Sequence, residues 1–74
     1  MDTAVTYTFT VAGLAEASAR RITMMLEQQQ GVHRAQASVR LGRIAVDVDP
    51  AHVDADLLRQ AIRWSGYPAR LDPL

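Results

Sequence analysis

Cysteine is absent from all 74 residues, and so is lysine. Without cysteine the chain has neither a disulfide staple nor a thiolate, so packing and backbone hydrogen bonds must hold it together. Charge of one sign is missing too, because eight acidic residues balance eight arginines. That balance removes the broad positive field on which non-specific binding to phosphate backbones relies, and nucleic acid is not an expected partner. No apolar run approaches the ~20 residues that span a bilayer, which argues against membrane insertion. The stretch Met1-Asp2-Thr3-Ala4-Val5-Thr6 lacks the basic start and long apolar core of a secretory signal. A soluble cytoplasmic protein is the expectation. The length predicts one small domain over residues 1–74, whose core supplies modest stability.

What is present is periodicity. Val5, Tyr7, Phe9 and Val11 alternate with Thr6, Thr8 and Thr10, the period-two pattern of a half-buried strand. From Glu16 to Gln29 the pattern becomes helical: Ser18, Ile22, Met25, Leu26 and Gln29 share one side at ~100° per residue. Gly31 can close that helix in the left-handed conformation. A second strand is predicted with His33, Ala35, Ala37, Val39 and Leu41 on one face, followed by a hairpin at Gly42. Ile44, Val46 and Val48 then alternate in an antiparallel third strand that Pro50 stops. A second helix is predicted from Asp54, whose carboxylate can accept from the free amides of the first turn, while Asp54 and Asp56 place negative charge at the positive end of the dipole. Its predicted buried stripe is Leu57, Leu58, Ala61, Ile62 and Ser65, with Trp64 at the border sealing the core. After Gly66, a fourth strand from Tyr67 to Leu71 should point Tyr67, Ala69 and Leu71 inward.

Strand, helix, strand, strand, helix, strand is the α+β, ferredoxin-like βαββαβ order. It predicts a four-stranded antiparallel sheet, order 4-1-3-2, with both helices on one face. Several short patterns occur along it in a set sequence: Val11-Ala12-Gly13-Leu14, Gly31-Val32, Ala35-x-Ala37-x-Val39, Gly42, Val46-Asp47-Val48-Asp49-Pro50, Leu58-Arg59-Gln60-Ala61-Ile62 and Gly66-Tyr67. Together they resemble the heavy-metal-associated domain family, the small copper carriers and amino-terminal modules of metal-pumping P-type ATPases, over nearly the whole chain. That resemblance implies a metal-binding Cys-x-x-Cys at the start of the first helix, and here the chain departs from it.

Counting back from Ile22, the two cysteine positions fall on Ala15 and Ser18; counting forward from Gly13, they fall on Glu16 and Ala19. The counts differ because the loop is one residue shorter than the resemblance implies. Cu(I) is soft and is held by thiolate or thioether sulfur, whereas Glu16 and Ser18 are hard oxygen ligands. Zinc asks for three or four ligands, and the loop Gly13, Leu14, Ala15, Glu16, Ser18, Ala19 offers one carboxylate and a weak hydroxyl. His33 and His52 are placed by this topology at the opposite end of the sheet and read as surface residues. Met24 and Met25 point ~100° apart on a helix and do not chelate one ion together; Met25 reads as core filling and Met24 as exposed.

The pattern therefore predicts no metal site, no cofactor and no enzyme: there is no nucleophile with a base, no acid pair and no phosphate-binding glycine loop. An RNA-recognition module shares the element order, but it needs stacking aromatics on the open sheet face. That face reads Thr6, Thr8, Thr10, Ser38, Arg40, Ala45 and Asp47. The expected function is a non-catalytic docking or regulatory module related to metal-ion transport, with a P-type metal ATPase, a metallochaperone or a second copy as partner. The expected docking surface is Gly13, Leu14, Glu16, Arg20, Met24 and Tyr67, with the Tyr67 ring packed over the Gly13 loop. The alternative is a metal carrier whose ligands are non-cysteine groups such as Glu16 or come from a partner.

Overall fold

In the computed structural model, which describes residues 4–73, the chain forms β1 (Val5–Val11), α1 (Glu16–Glu27), β2 (Val32–Ser38), β3 (Arg43–Val48), α2 (Ala55–Trp64) and β4 (Ala69–Leu71). Residues 1–3, where the search for a signal began, lie outside the described residues. The sheet runs β2-β3-β1-β4, which is the expected order read from its other edge. All pairings are antiparallel. The alternation in β1 sends Phe9 and Val11 into the core, and that in β3 buries Ile44, Val46 and Val48. Ile22 and Leu26 of α1 and Leu58 and Ile62 of α2 cover this same inner face, so one apolar layer joins both helices to the sheet.

The outer face is polar, and its threonines are tied down. Thr6 Oγ1 donates to Asp47 at 2.6 Å, and Thr10 Oγ1 donates to Asp72 at 2.6 Å. Arg43 approaches the other oxygen of Asp72 at 3.5 Å. At the open edge of β2 the Ala35 amide donates to Glu27 Oε2 at 3.0 Å, so an α1 carboxylate occupies a position where a further strand would pair.

Four expectations are corrected. The first concerns β2, which ends at Ser38; Val39 to Leu41 belong to the hairpin, and Leu41 is 63 % exposed. Ser38 Oγ accepts from the Leu41 amide, and Gly42 N–H donates to the Val39 carbonyl at 3.2 Å to close the turn, drawing these residues, Arg40 included, out of the ladder. A register shift between Val32 and Arg34 also takes His33 off the inner face, where Val32 packs instead. Second, α1 stops at Glu27, because the amides of Gln28 and Gln29 bond three residues back rather than four, and Gln29 is exposed. Third, β4 begins at Ala69. Pro68 has no amide hydrogen for a ladder, and its carbonyl instead accepts from Ala12 at 3.3 Å. Leu71 lies opposite Phe9 but on an edge strand, and is exposed. Fourth, the α2 stripe is narrower than expected: Leu58 and Ile62 are buried, Leu57 is 48 % exposed and Trp64 is 88 % exposed.

At the end of the sheet away from Gly13, Gly31 takes φ +93° and its carbonyl accepts from the Asp49 amide at 2.8 Å. A Cβ there would lie 2.7 Å from His52 Cβ and 2.8 Å from Cγ2 of the buried Val53. Gly66 has nearly the same φ, +94°, with open space around it. Gly66→Ala should therefore cost the left-handed strain alone, about 1 kcal/mol. Gly31→Ala should cost clearly more because Val53 must also move, and urea midpoints of the two variants measure the difference.

Candidate functional site: the loop between β1 and α1

The loop is anchored on both sides. Val11 N donates to the Gly42 carbonyl at 2.7 Å and Ala12 N to the Pro68 carbonyl at 3.3 Å, so the hairpin and the Gly66–Pro68 segment meet it at one end of the sheet. Gly13 turns the chain at φ +76°, and Leu14 packs partly against the core. Ala15 is the N-cap of α1 in an extended conformation, but its methyl group offers no acceptor to the first amides. Asp54 provides that acceptor for α2, taking the Leu57 amide at 2.8 Å.

Ser18, at the third helical position, supplies the other half of a capping arrangement. Its Oγ accepts from Ala15 N at 3.0 Å and donates to the Ala15 carbonyl at 3.0 Å. The side chain is turned inward, leaving the residue 6 % exposed. The Ser18 hydroxyl therefore meets the Ala15 backbone across the first turn, while Ala15 itself is exposed, Ala19 is buried toward the core and Glu16 is exposed. The one hydroxyl of the loop is thus committed to backbone and shielded from water. A soft metal ion finds no sulfur here, and a hard one finds only the single carboxylate of Glu16, so the residues present do not fit a bound metal. Among the described residues no group of three or more histidine or carboxylate side chains gathers anywhere on the chain.

No family model matches the chain. A comparison with curated proteins also finds no match in sequence. Solved structures do match. The chain superposes with a TM-score of 0.87 on the N-terminal domain of a potential copper-translocating P-type ATPase from Bacillus subtilis, at 26 % identity over 93 % of this chain and 88 % of that one. Its fold is that of the heavy-metal-associated domains. Oxidized MerP from Ralstonia metallidurans CH34 gives a TM-score of 0.88 at 21 % identity, over 96 % of this chain and 100 % of that one. The CopZ metallochaperone gives 0.85 at 21 % identity, over 89 % and 100 %. The structural neighbours of this heavy-metal-associated fold are thus metal-binding domains and a metallochaperone, as the sequence resemblance implied.

The Ala12–Pro68 bond sets the residue before Gly13 beside the segment carrying Tyr67, which is half-buried against the core, as is Leu14. Glu16, Arg20 and Met24 form an exposed i, i+4, i+8 column down α1. Met24, 56 % exposed, lies roughly 12 Å along the axis from Glu16 and is remote from the loop. Among the described residues no helix is long and apolar enough to cross a membrane. His52 Nδ1 lies 2.9 Å from Asp49 Oδ2 at the far end, and His33 is exposed.

The sequence reading missed the exposed Trp64 and Leu57, and the signal was available. The apolar arc of α2 holds two parallel columns, Leu58-Ile62-Ser65 and Leu57-Ala61-Trp64, and one narrow contact face covers only the first. Val53, buried just before the N-cap, was also missed.

Two outcomes follow for stability. Ser18→Ala should destabilise the protein by about 1 kcal/mol by orphaning the Ala15 amide, and Ala15→Ser should stabilise it by about as much by adding the absent cap, both read from urea melts. The backbone amide of Ala51 and then the His52 side chain hold the Asp49 carboxyl below its usual range. A carboxyl depressed in the folded state contributes stability that is present above its unfolded pKa and lost as pH falls through the folded one. The drop in urea midpoint between neutral pH and strong acid should accordingly be smaller in Asp49→Asn than in the native chain.

Proposed function

We propose that this chain is a non-catalytic heavy-metal-associated-like module whose metal site has degenerated, and that it works by docking a protein in cytoplasmic metal-ion transport or homeostasis. One observation carries the reading: Ser18, one of the two residues on which the second cysteine position falls by count, has its oxygen bound to Ala15 backbone on both sides and sealed from solvent. The loop has become a helix cap instead of a ligand pair. Its anchoring to the hairpin and to the Gly66–Pro68 segment keeps the end of the sheet ordered without a metal. A surface of Gly13, Leu14, Glu16, Arg20, Met24 and Tyr67 is then available for contact with a P-type metal ATPase, a metallochaperone or a second copy.

The similarity to a copper-translocating ATPase domain and to a metallochaperone supports metal-ion transport as the setting. The chemistry of the loop argues against carriage of the ion itself.

The test is anaerobic titration with Cu(I), and separately with Zn(II), of the native chain and of Ala15→Cys/Ser18→Cys. The native chain should show no tight stoichiometric site. The double variant should gain one for Cu(I), because it supplies two thiolates at the spacing that the resemblance implies. Submicromolar binding of either ion at a single site by the native chain would show that it is still a carrier.

A further inference from the structure

Trp64 is the sole tryptophan and the last residue of α2, and at 88 % exposed it is the most solvent-open large apolar side chain among those described. It stands between two shallow grooves. One is cationic, lined by Arg59, Gln60, Arg63 and Trp64; the other is apolar, with Met25, Leu57 and Ala61 beside the same indole. The acid on this helix is already engaged: Asp56 takes Arg59 at 2.7 Å on one oxygen and Gln60 at 2.9 Å on the other. Arg63 makes no ion pair among the described residues. The unneutralised charge of this face is therefore positive, set directly against an indole and a leucine.

Those features select among occupants. A second copy docking through a two-fold axis would lay Arg59 and Arg63 against their own equivalents, which like-charge repulsion opposes. A bilayer is planar, whereas Trp64 is a ridge with a groove on each side. A segment carrying both carboxylates and an apolar stripe matches the pair of grooves, since guanidinium binds carboxylate in a forked geometry and an exposed indole is a strong apolar anchor.

We infer that the α2 face centred on Trp64 docks an acidic amphipathic segment of a partner protein, its carboxylates on Arg59 and Arg63 and its apolar side chains over Trp64 and Leu57. This rests on the docking reading above and adds to its Gly13 surface a second contact, on α2.

Trp64 reports its own occupancy through fluorescence. The probe is a synthetic amphipathic helical peptide with leucines on one stripe and glutamates on either side, and the control is the same peptide with lysine for glutamate. The acidic peptide should shift Trp64 emission to shorter wavelength, saturably and less strongly as salt is added. Arg59→Glu/Arg63→Glu should bind it about tenfold or more weakly while circular dichroism shows the chain still folded at the assay temperature. Leu57→Ala should weaken it as well.

Four results would overturn the assignment: no shift with the acidic peptide, equal binding of the lysine peptide, indifference to the charge reversal, or a shift produced instead by anionic phosphatidylglycerol vesicles or by self-association on sedimentation. Tight copper binding by the native chain would defeat the docking reading itself. A negative peptide titration in a chain that binds no copper would remove only the α2 contact.

Discussion

One apolar layer between two helices and four strands carries this protein, because a chain of 74 residues without cysteine has no other means of resisting its own conformational entropy. Phe9, Ile44, Val46 and Val48 form the sheet side of that layer; Ile22, Leu26, Leu58 and Ile62 form the helix side. The rest is arranged around keeping it closed. Gly31 lets the chain turn tightly beside Val53 at one end, and backbone bonds from Val11 and Ala12 close the other. Glu27 covers part of the sheet edge that the small fold leaves open.

The same economy bears on the loop after β1. A metal held by two thiolates links a loop to a helix start through the ion, whereas here the link is a serine hydroxyl bound to the backbone of Ala15. This bond is local and turned inward, so it stabilises the first turn while offering nothing to solvent. With the loop so occupied, the exposed chemistry of the molecule lies on the helices, where Trp64 stands beside arginines that internal acids only partly neutralise.

Much of the architecture was legible because two-residue alternation in β1 and β3 and the Asp54 cap leave little choice of element. The errors lie where alternation continues past its support. Val39 and Leu41 keep the rhythm of β2, yet they belong to a hairpin closed by Ser38 and Gly42. Gln29 keeps the rhythm of α1 after the hydrogen bonding has tightened. At the loop, the two possible pairings, Ala15 with Ser18 and Glu16 with Ala19, have equal standing in sequence. The Ser18 hydroxyl is spent on the Ala15 backbone under either pairing.

The residues alone determined the order of elements, the apolar face of the central strands and the absence of any cysteine thiolate, since these depend on composition and on periods local to each segment. Tertiary structure decided which of the two apolar columns of α2 is covered, where the Ser18 hydroxyl points and which edge amide Glu27 reaches. Periodicity tells which side chains share a face, but burial needs a neighbour close enough to displace water. Beyond Leu57 and Trp64 this fold supplies none.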